Sequence, residues 1–465
     1  MKSILKYILL SILIGACETP DEFLDVKPDN SFNPSTLGEF ESLLNNVSFS
    51  YRRLQNLTLI DPDIAMNDQS YANIMADEVM VNAFRWNHEL YNEITNDPDY
   101  NDAYSNIFTF NQIIMDIEEA TVNEGYEESD RANIKAEAHA QRAMEYFLLI
   151  NEYAAHYDPD HPDIPGIPMP LENDIEAQLP RSSVSDIYSQ ILSDLEMAAT
   201  LFDDTFEDVQ PEANFRPGLA SIYGLLAEVH LYMGEFEQAA SYAEDVLLRY
   251  NFLYDYNTIE LEDMENPWKG ITETDLTFAT LNKEVIWNRY HRWNYYNPFY
   301  LFSDDLVSTF DKARDRRWYF WSTQVSQNGI DTSPYYIFCM SDIETNAGIT
   351  IPRLLLTYAE AQTRSGNVPQ GLEALNTLLT HRISNFRPYE ITDQNELLQL
   401  IKTERRKELF GTSLNTFDQK RYHIYGEKVP VFERSLNGMN YELSPGDQGY
   451  FIAIPLKIRN INPNL

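Results

Sequence analysis

The chain has 465 residues, of which 73 are acidic and 34 are basic, and its formal net charge is −39 at pH 7. A surface this negative repels nucleic-acid backbones and anionic lipid headgroups, so binding to either by charge is excluded. The 43% hydrophobic share, with 30 Tyr, 24 Phe and 6 Trp, is ample for a core and excludes global disorder.

The first residues have the pattern of an export signal. Lys2 and Lys6 form a short basic region, and the apolar run 7–14 that follows is too short to span a bilayer. Ile14-Gly15-Ala16-Cys17 resembles the lipobox of bacterial lipoproteins, which implies cleavage before the cysteine and a diacylglycerol on its sulfur. The alternative is an ordinary secretory leader with an incidental cysteine.

Lipidation would give this chain a membrane anchor. We expect a signal peptide at 1–16, a lipid on Cys17 and a polar tether at 17–30, with acyl chains providing the anchoring. Cys339 is the only other cysteine, so a disulfide framework is excluded.

Helical periodicity dominates the rest of the chain. Apolar residues at helical spacing predict helices over 102–120, 131–153 and 184–202, with Ser182-Ser183 offering an N-cap for the third. The proline-rich stretch 158–170 must interrupt them.

A helix–turn–helix pattern occurs twice, 132 residues apart, with Ala227 and Gly234 in the first copy and Ala359 and Gly366 in the second. Small facing residues and a glycine turn are typical of tetratricopeptide repeats. The sequence therefore predicts a mostly α fold with a tetratricopeptide-like scaffold. The predicted divisions are the scaffold (about 31–250 and 351–425), an irregular aromatic lobe with short strands such as 284–288 (about 251–350), and a C-terminal segment (426–465).

Motifs for catalysis are absent. Phosphate-binding glycine loops, a nucleophile elbow and HExxH do not occur, so we expect neither an enzyme nor a bound cofactor. Asp97-x-Asp99-x-Asn101 and Asp158-x-Asp160-x-x-Asp163 suggest calcium, but both lack the glycine and closing glutamate of an EF-hand. Solvated loop acids are the favoured interpretation.

A set of short motifs, in a fixed order along the chain, resembles the SusD/RagB family of Bacteroidetes outer-membrane lipoproteins. The motifs are Phe23-Leu24-Asp25, Tyr104…Ile107…Asn111, Glu137-Ala138…Arg142-Ala143…Tyr146-Phe147, Gly166-Ile167-Pro168, Pro180-Arg181-Ser182, Leu226-Ala227-Glu228, Tyr358-Ala359-Glu360-Ala361, Glu404-Arg405-Arg406…Glu408, Asp418…Arg421 and Ile454-Pro455…Asn462-Pro463. The charged members Glu404, Arg405, Glu408, Asp418 and Arg421 are expected to form ion pairs that lock a C-terminal helix to the repeats.

The resemblance implies a surface-exposed, lipid-anchored outer-membrane protein that captures a nutrient, usually a glycan, and delivers it to a SusC-like TonB-dependent transporter. Peptide capture, which some relatives perform, is the first alternative. A helical glycoside hydrolase or a repeat scaffold without a transport role is the second.

Candidate ligand-binding residues are aromatic rings with polar neighbours, because sugars stack on rings and hydrogen-bond to amides. In the segment before Tyr104 these are Trp86, Asn87, Arg85 and Tyr71. In the lobe they are Trp293, Asn294, Tyr295 and Tyr296, with core packing as the alternative for Trp293. Trp287, Trp318 and Trp321 are expected to be core residues.

Overall fold

The computed structural model describes residues 33–51, 55–174, 176–202, 206–291, 301–339 and 345–465. The expected signal peptide and Cys17 lie outside these residues. Helix accounts for 51% of the structure and strand for 9%, which confirms the mostly α prediction. No helix in the described ranges is long and apolar enough to cross a membrane.

The described residues form sixteen α-helices, and the three longest lie in the N-terminal half. They are α1 (Leu37–Leu44), α2 (Gln55–Ile60), α3 (Asp68–Ile74), α4 (Glu78–Phe84), α5 (Pro98–Asp116), α6 (Glu128–Tyr153), α7 (Val184–Leu201), α8 (Leu219–Met233), α9 (Phe236–Arg249), α10 (Asp304–Thr309), α11 (Arg316–Trp321), α12 (Ile351–Arg364), α13 (Val368–Thr380), α14 (Gln394–Glu408), α15 (Leu414–Ile424) and α16 (Leu456–Ile461).

Local sequence signals explain where the long helices begin. Asp97 caps α5 by accepting from the N–H groups of Asp99 and Tyr100, so this helix begins a turn earlier than its periodicity predicts. Ser183 caps α7 through the N–H of Asp186, as expected. Each cap satisfies backbone donors that the first helical turn leaves unpaired.

The two helix–turn–helix copies are confirmed as the hairpins α8–α9 and α12–α13. Gly234 and Gly366 lie at their turns with φ of +80° and +87°, in the left-handed region that glycine adopts most easily. The hairpins are closely packed, because a Cβ on Gly371 would lie 2.7 Å from the carbonyl oxygen of Ala359.

Helices of the scaffold pack in chain order. Helix α5 packs on α6, α6 on α7, α7 on α8 and α8 on α9. Helix α12 packs on both α13 and α14. Helix α9 packs directly against α12 although the aromatic lobe separates them in the chain. The lobe is therefore an insertion between two neighbouring helices of one continuous array.

Strands are short, and most belong to the lobe. They are β1 (Ile64–Ala65), β2 (Val285–Trp287), β3 (Tyr290–His291), β4 (Leu301–Phe302), β5 (Ser322–Thr323), β6 (Ile337–Phe338), β7 (Thr345–Asn346), β8 (Ile349–Thr350), β9 (Phe432–Leu436) and β10 (Met439–Leu443). All pairs are antiparallel, and one four-stranded sheet has the order β1-β4-β6-β5. Because β1 pairs with β4, the N-terminal region is joined to the lobe.

The expected ion pairs are confirmed in the C-terminal helices. Arg405 binds Asp418 at 2.7 Å, and Arg421 binds Asp418 at 2.8 Å and Glu360 at 2.6 Å. Arg353 adds a pair with Glu228 at 2.8 Å, so one buried network joins α8, α12, α14 and α15.

Buried ion pairs also join the lobe to the scaffold. Arg317 of α11 contacts Glu404 at 2.5 Å and Glu408 at 3.0 Å on α14. Arg382 binds Glu408 at 3.0 Å and Glu284 of the lobe at 2.8 Å. Removing either arginine would leave several buried carboxylates short of a cation, because each guanidinium is shared between them.

Candidate functional site

A cavity of about 460 Å³ lies where the four-stranded sheet, the hairpin β9–β10 and helix α14 meet; we call it the hairpin cavity. Its walls come from segments far apart in the chain. They are residues 62–66 with Phe84, residues 302–305, Tyr335, Arg406 and residues 430–436. A cavity of this size accommodates a small molecule or part of a longer chain.

An ion triad forms the polar wall of the hairpin cavity. Arg406 donates to both carboxylate oxygens of buried Asp63, with Nη2 at 2.5 Å and Nε at 3.1 Å. The same Nη2 donates to Asp305 at 2.7 Å, whose side chain is 74% exposed. Burial lowers the pKa of Arg406, but the two carboxylates outweigh this effect and raise it above its usual range. The triad joins α14 to the residue before β1 and to α10.

A second carboxyl group lies behind this wall. Asn415 Nδ2 lies 2.9 Å from both Asp61 and Asp63, and Asp61 also accepts from the N–H of Asp63. Burial, together with the nearby charge of Asp63, raises the pKa of Asp61 to about 7. Asp61 is therefore largely protonated below neutral pH, while Asp63 is paired with the guanidinium.

Aromatic side chains form the other walls. Tyr335 is 36% exposed, Phe432 is half-buried, and Phe84 and Phe302 are buried behind them. Exposed ring surface beside carboxylates and a guanidinium is the combination that binds sugars, since rings stack on C–H faces and charged groups bind hydroxyls.

Trp86 was expected to offer its ring to a ligand, but it is only 6% exposed. Its indole N–H donates to the carbonyl of Ile60 at 2.8 Å, and its ring covers the guanidinium of Arg434, with the Arg434 Cζ 4.1 Å from the ring centroid. The backbone of Trp86 is left-handed, with φ of +60°, where it ends α4. In this structure Trp86 is a packing residue with no open ring face.

The neighbours of Trp86 are placed differently. Tyr71 is 2% exposed, and its hydroxyl accepts from Arg85 Nε at 2.7 Å. Arg85 is half-buried between the rings of Tyr71 and Tyr441, and Asn87 is exposed, donating to Asn82 at 2.9 Å. Of the four candidates in this segment, Arg85 and Asn87 can therefore contact a ligand directly, and their role in binding stays a prediction.

The lobe candidates Trp293, Asn294, Tyr295 and Tyr296 lie outside the described residues. The three tryptophans expected in the core, Trp287, Trp318 and Trp321, are all buried.

The acidic motifs serve local structure. Asp97 caps α5 and accepts from the Tyr153 hydroxyl at 2.6 Å, while Asp158 binds His161 at 2.7 Å. Within the described ranges, no group of three or more His, Cys, Asp or Glu side chains could hold a metal ion.

Sequence reasoning missed the main residues of the hairpin cavity. Arg406 lies in the Glu404-Arg405-Arg406 motif, but nothing in its spacing separates it from the neighbours that form internal ion pairs. Tyr335 and Phe432 are single aromatic residues in loops and edge strands, so their exposure depends on the tertiary fold. The signal that could have found Tyr335 is the turn sequence Ser333-Pro334-Tyr335-Tyr336, which places rings beside a bend.

Comparison with known families matches residues 22–231 to SusD-like_3, described as starch-binding and associating with the outer membrane. Comparison with curated proteins finds no match.

Solved structures from Bacteroides resemble the whole chain. A SusD-like carbohydrate-binding protein of Bacteroides vulgatus is 20% identical, with a TM-score of 0.67 over 93% of this chain and 97% of that one. A SusD superfamily protein of Bacteroides thetaiotaomicron is 19% identical, with a TM-score of 0.68 over 92% and 98%. A second Bacteroides vulgatus SusD superfamily protein is 17% identical, with a TM-score of 0.71 over 92% and 98%.

The fold and the site define a helical-repeat protein whose inserted lobe and C-terminal hairpin enclose a ligand-sized cavity. Residues 22–231 match the SusD-like family model, and the chain shares the fold of solved SusD-like proteins over more than nine-tenths of its length.

Proposed function

We propose that the protein captures an oligosaccharide from outside the cell and delivers it to a SusC-like TonB-dependent transporter in the outer membrane. The observation that carries the ligand class is the hairpin cavity, which sets the exposed ring of Tyr335 beside the Asp63–Arg406–Asp305 triad. The description of the matched family and the carbohydrate-binding name of the Bacteroides vulgatus structure support it.

The same proposal includes the location. The lipobox-like sequence at Cys17 supports a lipid anchor, and the matched family is described as associating with the outer membrane. A net charge of −39 is compatible with this, because acyl chains would provide attachment while the protein body is repelled from anionic headgroups. Copurification of a TonB-dependent barrel from solubilised outer membranes tests the delivery step.

Screening a glycan array and then measuring the best ligand by calorimetry tests capture. Tyr335→Ala should weaken binding roughly five- to thirtyfold, because loss of a stacking ring costs about 1–2 kcal/mol. Tyr335 is exposed, so the variant should keep the wild-type unfolding midpoint.

Tyr389→Ala is the matched control, since Tyr389 is 40% exposed, contacts Phe386 and lies away from the cavity. Equal affinities for wild type and Tyr335→Ala would reject the hairpin cavity as the site. If no glycan binds on the array and oligopeptides copurify with the protein, the ligand class is peptide and the proposal of glycan capture is rejected.

A further inference from the structure

Arg85 is held in one orientation by aromatic side chains. Its guanidinium carbon lies 5.7 Å from the ring centroid of Tyr71 and 5.5 Å from that of Tyr441, and its Nε donates to the Tyr71 hydroxyl. We call Tyr71, Arg85 and Tyr441 the Arg85 stack. An arginine fixed by stacking and by its Nε loses little side-chain freedom when its remaining N–H groups bind a ligand.

The two terminal nitrogens of Arg85 have no partner within the described part of the chain. No carboxylate there lies within 4.0 Å of them, and no carbonyl or hydroxyl accepts from them.

Arg434 provides the comparison within the same region. It is buried between the rings of Phe84 and Trp86, and its two terminal nitrogens donate to the carbonyls of Leu59, Phe84, Asp61 and Ile64. All four contacts are 2.7–3.0 Å long, so both terminal nitrogens of Arg434 hold the hairpin to α2, α4 and the segment after α2. Arg85 also lies between two rings, but at 5.5–5.7 Å from their centroids where Arg434 lies at 4.0–4.1 Å. It is half-buried, and its terminal nitrogens are available.

The Arg85 stack packs against residues that also form the wall of the hairpin cavity. The ring centroid of Tyr71 lies 6.0 Å from that of Phe84, and Phe84 lines the cavity. Tyr441 lies on β10, paired in register with Arg434 of β9, which is also a wall residue. Both links run through buried side chains, so Arg85 and the exposed amide of Asn87 lie outside the cavity lining and next to its wall.

The chemistry of the available donors selects an anion. Two parallel N–H groups of a guanidinium match the two oxygens of a carboxylate, and such charge-assisted pairs are about twice as strong as neutral hydrogen bonds. The protein's own negative charge opposes a ligand with many carboxylates. At physiological salt, however, charges beyond about 8 Å are largely screened, so one carboxylate at Arg85 experiences mainly its local partner.

Resting on the proposed function, we propose that the captured ligand is an acidic oligosaccharide of low charge density, a largely neutral chain that carries a hexuronic acid, and that Arg85 binds its carboxylate. The pairing adds no covalent step. It makes the Arg85 stack the subsite that distinguishes acidic from neutral glycans.

Calorimetry on matched sugar pairs tests this directly. A panel of acidic oligosaccharides is measured beside the same molecules after the carboxyl group has been reduced to a primary alcohol, which keeps the backbone and removes the charge. Wild type should bind the acidic member at least about tenfold more tightly than its reduced partner, as expected for a bidentate charge-assisted contact. In Arg85→Gln the ratio should fall to about one.

Two further variants make the result specific. Arg85→Lys keeps the positive charge but loses the two parallel N–H donors of the guanidinium. The ratio of acidic to reduced binding in this variant should lie between those of wild type and Arg85→Gln. This comparison holds even if Arg85→Gln is less stable. Arg387→Gln removes one exposed positive charge elsewhere and should keep the wild-type ratio.

The inference is overturned if wild type binds the acidic and reduced sugars equally well, or if Arg85→Gln keeps the wild-type ratio of their affinities. Either result would leave oligosaccharide capture intact. If only sulfated sugars bind, and Arg85→Gln abolishes that binding, then the group bound by Arg85 is a sulfate. That result would reject the assignment of a uronic acid. Failure of every sugar to bind, acidic or neutral, would reject the proposed function as well.

Discussion

At the residue scale, two neighbouring carboxyl groups at the hairpin cavity have different environments: Asp63 lines it and Asp61 lies behind it. Asp63 has a guanidinium beside it, whereas Asp61 is buried with Asn415 and a backbone N–H as its hydrogen-bond donors. A buried carboxyl group without a cation is stabilised in its neutral form, which is why the pKa of Asp61 is raised to about 7.

This difference predicts a pH effect on stability. Between about pH 4 and 7 folded Asp61 keeps a proton that the unfolded chain has released, so the free energy of unfolding falls as pH rises through 7. Asp61→Asn keeps an oxygen acceptor and cannot ionise. We expect this variant to be more stable than wild type by about 4 kcal/mol at pH 8 and similar to it at pH 4.

Urea denaturation at both pH values measures this effect. Asp63→Asn is the control, because it removes the carboxylate that Arg406 needs and should destabilise the protein at both. An Asp61→Asn variant less stable than wild type at pH 8 would contradict the assignment of Asp61 as a protonated buried group.

At the scale of helices, stability in acid depends on the buried network that joins α8, α12, α14 and α15. Burial raises the pKa of Glu228, but Arg353 and Arg405 outweigh burial and lower it to about 2. The pKa of Glu360 is lowered in the same way by Arg421 and Arg364. These carboxylates stabilise the fold above their unfolded pKa, and their contribution is lost as pH falls toward 2.

We therefore expect the free energy of unfolding to drop below about pH 4.5, with Glu228 alone accounting for about 1 kcal/mol by pH 3.5 and about 3 kcal/mol by pH 2. Urea titrations at pH 6, 4.5 and 3.5 measure the slope. Glu228→Gln should reduce that slope, while Glu373→Gln, which changes an exposed carboxyl group on α13, should leave it unchanged. A flat profile down to pH 3.5 would show that the network is not stabilised by its charges.

Elements were more predictable than the site. Periodicity and capping residues located α5, α6 and α7, and glycine turns located the hairpins α8–α9 and α12–α13, because these signals are local. Trp86 could not be assigned in the same way. Its burial depends on Arg434, which is distant in the chain and reaches it only when β9 packs on α4.

The hairpin cavity shows the same limit. Arg406 has a sequence context like that of Arg405, yet one faces a cavity and the other a buried ion pair. The direction in which each points is set by the lobe and by β1, which are brought to α14 only by the tertiary fold.

At the scale of the molecule, the lobe and the scaffold are expected to unfold together, because buried Arg317 binds carboxylates on α14. All tryptophans except Trp86 lie between residues 251 and 350, so fluorescence reports mainly on the lobe and far-ultraviolet circular dichroism on the helices. Wild type should give coincident transitions with the two probes.

Arg317→Met should separate the two transitions, with the fluorescence change coming first. The substitution leaves Asp315, Glu404 and Glu408 buried without their shared cation, which costs about 3–5 kcal/mol. Arg314→Met, which breaks only an exposed pair with Asp311, should leave the transitions coincident. Coincident, unshifted transitions in Arg317→Met would argue against this coupling.

The walls of the hairpin cavity are divided between the two halves of the chain. Only residues 62–66 and Phe84 of its walls lie within the family-matched range 22–231, whereas residues 302–305, Tyr335, Arg406 and residues 430–436 lie beyond it. Substitutions in residues 302–305, Tyr335 and residues 430–436 can therefore change the shape and charge of the cavity without touching the family-matched segment.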